Sequence, residues 1–317
     1  MHLRKLMIGL LSGVTLALCA SGARAAETAA AEPQYAPMGE QTCLKCHDRA
    51  PIDATAIFKT PHGVKGDGRT PMAQHGCESC HGPSSAHYES TPPAGQKRVS
   101  PAVVFSGPNA SPVPVRNKMC LSCHQNGLRM NWAGSQHEMN DIACTNCHTV
   151  HVAKDPVLVK ASQPEKCYTC HAEQRALALQ FSHHPINEGK VVCADCHNPH
   201  GSPGPKLLKE VRVTDTCYNC HADKRGPMLW EHQPVREDCT NCHNPHGSVN
   251  AWLLKEKVPF LCLDCHAATN DMGGVGVSVK SVQPHASMQY LFSDRSCLNC
   301  HSQIHGSNSP SGSTFFR

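Results

Sequence analysis

The chain has 317 residues, a mean hydropathy of −0.39 and 5% aromatic side chains, with 23 Gly and 24 Pro. So polar and turn-rich a composition excludes an ordinary large apolar core, and something other than side chains must hold the protein together. The formal charge of +4 comes without a basic stripe interleaved with aromatics, which argues against a nucleic-acid partner.

The first 25 residues read as a secretory signal. Arg4 and Lys5 form the positive region, Leu6 to Ala20 the apolar run, and Ala23-Arg24-Ala25 the small-x-small cleavage site. The run is too short for a membrane span, which takes about 20 residues. Leu18 before Cys19 does not fit a lipoprotein site, so Cys19 is expected to leave with the signal. A leader over 26–42 follows. The remaining 20 of the 21 cysteines then belong to an exported protein, where unused thiols would tend to form disulfides.

All twenty fall in one spacing, C-x-x-C-H. In chain order the words are Cys43-Cys46-His47, Cys77-Cys80-His81, Cys120-Cys123-His124, Cys144-Cys147-His148 and Cys167-Cys170-His171. Then come Cys193-Cys196-His197, Cys217-Cys220-His221, Cys239-Cys242-His243, Cys262-Cys265-His266 and Cys297-Cys300-His301. This is the attachment signal of c-type haem: two thioethers to the vinyl groups, with the adjacent His as proximal iron ligand. A disulfide framework has no use for a His after every second Cys, and a zinc ribbon does not need it either. The expectation is ten covalently bound c-type haems.

Ten proximal histidines and His2 leave twelve others among the 23. The order of the chain repeats five times: a CxxCH word, a lone His, a second word, a trailing His. The lone histidines are His62, His137, His184, His232 and His285. The trailing ones are His87, His151, His200, His246 and His305. These ten are the candidate distal ligands. His75, two residues before Cys77, and His183, beside His184, are set aside, and Met288 is an alternative to His285. In "CTNCHNPHGS" (239–248) His246 follows His243 by three residues, which reach at most ~10–11 Å. That is too short to pass round a porphyrin edge, so His246 is expected to ligate a different haem from His243. The same holds for His151, His200 and His305.

The expected fold is a multihaem cytochrome c, mostly irregular with short α-helices, an elongated haem-packed wire with little or no β-sheet. Two-haem modules are expected at 43–87, 120–151, 167–200, 217–246 and 262–305, with a tail over 306–317. A Pro-rich stretch over 88–119, an extended linker or a wrapping loop, separates the first two. Short helices are expected over 51–60, 172–181 and, more weakly, 222–232. The Gly-rich 272–280 reads as a loop without a phosphate-binding pattern. Trp132, Trp230 and Trp252 read as haem-packing or interface residues. Signal cleavage leaves 26 basic against 25 acidic side chains. Twenty propionates would take ten loaded haems to roughly −9 oxidised and −19 reduced.

With two histidines per iron no haem has an open site, so each can pass electrons but cannot bind a substrate. The ten words, "CHTVHVAKDPVL" (147–158), "DTCYNCHADKRGPMLWEH" (215–232), "CTNCHNPHGSVN" (239–250) and "RSCLNCHSQIHGSN" (295–308) resemble the MtrA/MtoA/PioA/DmsE family of periplasmic decahaem cytochromes. The resemblance covers nearly all of the mature chain. It implies bis-His haems in a row, a periplasmic location and insertion into an outer-membrane β-barrel porin, crossing a membrane of ~40–45 Å. It also implies a periplasmic or inner-membrane cytochrome on one side and an extracellular multihaem cytochrome or iron on the other. The short leader looks more like MtrA and MtoA members than the photoferrotrophic ones, which carry long extensions. A soluble periplasmic shuttle and a multihaem reductase are the competing readings. The reductase class often shows a CxxCK word or a haem without a distal ligand, and neither is evident.

Overall fold

The computed structural model describes residues 34–49, 52–266, 297–299, 301–310 and 315. The signal sequence, residues 272–280, His285, Met288 and Cys300 lie outside the described residues.

Each described CxxCH word is one helical turn. The His amide donates to the carbonyl of the first Cys at 3.0 Å for His81 and His171, 2.9 Å for His124, His148, His197, His221, His266 and His301, and 3.1 Å for His243. Spacing i, i+3, i+4 on such a turn puts both thiols and the imidazole on one side. The local code thus builds a clamp without help from the rest of the chain.

The first word of each module sits at or near the end of a helix: Glu40–His47, Val113–Leu121, Gln163–Tyr168, Val213–Tyr218 and Phe260–Leu263. The second word is a bare turn: Glu78–His81, Cys144–Cys147, Cys193–Cys196, and 3-10 turns at Cys239–Asn241 and Cys297–Asn299. Proline starts several of the helices, in the first turn of Val113–Leu121, Gln163–Tyr168 and Gln233–Glu237, where a missing N–H costs nothing. Ala172–Ala178 forms on helix-favouring composition within the expected 172–181.

Two helix expectations differ from the structure. Residues 51–60 hold a two-residue strand, Ile52–Asp53, antiparallel to Asp48–Arg49, and then a 3-10 helix at Thr55–Lys59. The Asp53 carboxylate accepts from the amide and hydroxyl of Thr55 at 2.8 and 2.6 Å, a local turn that competes with a helix start. Over 222–232 helix survives only as the 3-10 turn Ala222–Lys224, because Gly226 takes φ +80° and Pro227 has no N–H. The Pro-rich 88–119 ends in helix from Val113, and its earlier part folds back on the second word. The Val103 amide donates to the His81 carbonyl at 2.9 Å, and the Ala102 amide to the Ser84 hydroxyl at 3.2 Å.

Apolar burial is sparse. Among the described residues Ile57, Met72, Val103, Trp132, Tyr168, Val192 and Leu254 are buried one by one rather than in a layer. Apart from the strand pair, extended pairing is limited to isolated bridges. Two of these join modules in the same register. Ser182 and Ser248 exchange hydrogen bonds of 3.0 and 2.8 Å, and Trp230 and Ser307 exchange two of 2.9 Å. In both, the residue two before a lone His pairs with the residue two after the next module's trailing His. The described residues from Gln34 onward belong to one contact unit. Among the described residues no helix is long and apolar enough to cross a membrane.

Candidate functional site

Among the described residues no mature cysteine forms a disulfide. Within each module the first thiols of the two words interact directly: Cys43 with Cys77, Cys120 with Cys144, Cys167 with Cys193, Cys217 with Cys239, and Cys262 with Cys297. Between modules the second thiols lie near each other: Cys80 and Cys123, Cys147 and Cys170, Cys196 and Cys220, Cys242 and Cys265. Each word therefore faces the next one, alternately through its first and its second cysteine. Among the described residues no group of three or more His, Cys, Asp and Glu side chains is placed to hold a bare metal ion, so the zinc alternative has no geometry behind it.

The imidazoles come in pairs. Ring centroids are 6.1 Å apart for His47–His87, 6.1 Å for His81–His151, 5.9 Å for His124–His62, 6.0 Å for His148–His200 and 6.2 Å for His171–His137. They are 6.1 Å apart for His197–His246, 6.2 Å for His221–His184, 6.1 Å for His243–His305 and 6.2 Å for His266–His232. A metal bonded to one nitrogen of each ring at about 2.0–2.1 Å puts the centroids roughly 6 Å apart. In each pair one ring belongs to a CxxCH word and the other is a lone or trailing His. Both the spacing and the donor set fit a haem iron between two imidazoles.

The pairs cross module boundaries by a regular exchange. The lone His of one module lies against the first word of the next: His62 with His124, His137 with His171, His184 with His221, His232 with His266. The trailing His of the next module lies against the second word of the one before: His151 with His81, His200 with His148, His246 with His197, His305 with His243. Among the described pairs His87 turns back within its own module, to His47.

Hydrogen bonds aim the rings. Because a carbonyl can only accept, the Nδ1–H of His137 donates to the Pro199 carbonyl at 2.7 Å, that of His184 to Pro245 at 2.7 Å, and that of His232 to Ile304 at 3.1 Å. Each acceptor is the residue just before the trailing His of the next module. One turn therefore presents an imidazole to one site and a carbonyl to the ligand of another. His87 donates to Val99 at 2.6 Å, His81 to Val103 at 3.0 Å, His197 to Lys206 at 2.9 Å and His243 to Trp252 at 2.8 Å. Such bonds set the tautomer that leaves Nε2 for a metal. Burial pushes His81, His151, His197, His246 and His305 below the usual imidazole range, and takes His200 down to about 4, helped by His148 and Arg129. All are therefore neutral near pH 7, the form that ligates.

Residues 183–226 and 232–271 match the doubled CXXCH motif family, residues 77–164 the cytochrome c-type protein NrfB-like family, and residues 17–82 the cytochrome c554 and c-prime family. A multiheme cytochrome MtrA of Shewanella baltica (strain OS185) is 44% identical over 282 residues, covering 89% of this chain and 82% of that protein. This chain belongs to the MtrA family of multihaem c-type cytochromes. It carries covalent haem and transfers electrons.

In this MtrA-family cytochrome His75 and His183, the two set aside above, meet other partners than a CxxCH imidazole. His75 stacks on Tyr35, with centroids 3.9 Å apart and planes 7° off parallel. His183 donates from Nδ1 to the Gln180 carbonyl at 2.6 Å and meets Glu188 at 3.2 Å through Nε2. Both His183 nitrogens are thereby used. His183→Ala and His75→Ala are expected to leave the low-spin spectrum unchanged, whereas His184→Ala turns one haem high-spin. Magnetic circular dichroism of the three variants checks this, and a high-spin band in His183→Ala would reverse the choice between the neighbours. The expected His285 lies outside the described residues. The aiming carbonyls and the acceptor Asp155 of His148 escaped the sequence reading. A backbone carbonyl has no sequence signature, and Asp155 shows only as the Asp-Pro after a trailing His.

Proposed function

We propose that this chain holds ten bis-histidine haems in sequence order and conducts electrons through the outer membrane inside a β-barrel partner. The observation that carries the reading is the exchange of imidazoles across every module junction. Each of the nine described pairs would give an iron between them two imidazoles, which would leave no place for a substrate. The exchange uses every lone and trailing His but two. His87 faces His47, so the rule leaves His285 for His301. Haem supplies one-electron exchange with little rearrangement when it is bound. The protein's part is to hold each iron from two stretches of chain and so keep successive sites in contact.

The likeness to MtrA and the expected signal peptide support a periplasmic protein docked at the outer membrane, with a periplasmic or inner-membrane cytochrome as one partner. Iron(II) oxidation and iron(III) reduction are both within reach of such a conduit, and the histidine geometry is the same for either. The test is transport. With its barrel partner in sealed vesicles, the protein is expected to carry electrons from an external reductant to a trapped dye. If it fails to associate with any barrel and no dye is reduced, a soluble shuttle is the better reading. A high-spin haem in the native protein would favour a reductase.

A further inference from the structure

Seven of the aimed ligand imidazoles donate from Nδ1 to a backbone carbonyl; His148 differs. Its Nδ1 meets the carboxylate of Asp155 at 2.7 Å. The internal repeats show why. After the trailing His of three modules the chain makes a 3-10 turn: Pro156–Leu158, Pro205–Leu207 and Ala251–Leu253. In the last two the middle residue, Lys206 or Trp252, takes a left-handed φ of 52° or 57°, and its own carbonyl accepts from the preceding word's His. In the first turn no residue takes a positive φ. Its N-cap is Asp155 where the others have Gly204 and Asn250, and the side chain replaces the carbonyl.

The carboxylate is held in place. Its other oxygen accepts from the Thr149 and Val157 amides, both at 3.3 Å, and the side chain is 13% exposed. Among the described residues its ion-pair partner is His148 and no Lys or Arg. A charged acceptor binds the Nδ1 proton more strongly than a carbonyl does. The ring gains anionic character and donates more strongly to iron, and the nearby negative charge favours the oxidised state. On the reading that His148 and His200 hold one iron, we infer that Asp155 is a positioning residue that lowers the potential of the haem attached at Cys144 and Cys147. The couple involved is one electron, with no bond or proton changing hands. This fourth site is thereby lower in potential than it would be with a backbone carbonyl in place of the carboxylate.

Asp155→Asn tests the charge alone, since Asn can still cap the turn and accept from Nδ1–H. In a spectropotentiometric titration of the full-length holoprotein, one electron equivalent is expected to move to higher potential while every haem stays low-spin. In a His200→Ala background the same haem is marked by a high-spin band, and Asp155→Asn is expected to raise that band's midpoint. If no equivalent moves and the band's midpoint stays put, the inference is overturned. A high-spin signal in Asp155→Asn alone would overturn it too, because Asp155 would then merely hold the ring. Should His200→Ala produce no high-spin band, the pairing of His148 with His200 fails by itself, and the shift in the otherwise native chain still decides the role of Asp155.

Discussion

His246→Ala is expected to turn the haem attached at Cys193 and Cys196 high-spin, while the haem attached at Cys239 and Cys242, whose His243 lies three residues upstream of His246, stays low-spin. The His246 ring lies 6.1 Å from that of His197 at 17° between planes, and His243 is matched instead by His305 at 6.1 Å. Alanine removes the imidazole but keeps the turn, so the Pro245 carbonyl still aims His184. The loss should be one haem's worth of low-spin signal, and transport through the row should slow at that site. Both haems stay attached, because their thioethers depend on Cys193, Cys196, Cys239 and Cys242. Resonance Raman or magnetic circular dichroism, with mass spectrometry for haem count, reads the result. A high-spin haem at Cys239 and Cys242 would contradict the exchange of ligands between modules.

Gly247→Ala should do more damage than its single methyl suggests. A Cβ there would stand 1.8 Å from the Leu177 carbonyl oxygen and 2.6 Å from its carbon, in the helix Ala172–Ala178 of the preceding module. Backbone on both sides leaves no flexible end to yield, so the turn must retreat. That turn carries His246 toward His197 and the Pro245 carbonyl toward His184, and Ser248 next to it pairs with Ser182. Two haems, those of Cys193/Cys196 and Cys217/Cys220, are therefore expected to lose low-spin character together. The cost is on the order of 3 kcal/mol or more, as for other substitutions that force backbone apart. Gly66→Ala, where a Cβ meets nothing within 4 Å, is the control and should be silent. Thermal unfolding followed in the haem bands measures both. A single perturbed haem in Gly247→Ala would mean that the turn does not serve two sites.

Gly201 stands in the same place one module earlier, with a Cβ that would meet the Asn131 carbonyl oxygen at 2.0 Å. The repeated "NPHG" is thus a docking unit: Pro supplies an acceptor carbonyl, His a ligand, and Gly the room to approach. The sequence shows the repeat, but its meaning lies in residues about sixty to seventy positions away, Asn131 and His137 for one copy and Leu177 and His184 for the other.

Much of this protein was legible in the sequence because its cofactor chemistry is local. C-x-x-C-H closes one helical turn, so the attachment words follow from spacing alone. Counting histidines against words yields a supply of second ligands, and low hydropathy with many Gly and Pro predicts short helices over irregular chain. The family followed from the same words. Pairing was beyond reach, since a distal ligand is a contact in space: His62 meets His124 and His200 meets His148, and nothing along the chain distinguishes these from other combinations. The Pro-rich 88–119 reads as a linker or wrapping loop without a partner for the same reason. Its role in aiming His81 and His87 rests on the backbone carbonyls of Val103 and Val99, which every residue type possesses. Local covalent spacing determined which residues can hold haem; only tertiary packing, through which stretches of backbone approach closely, decided which two imidazoles face each other.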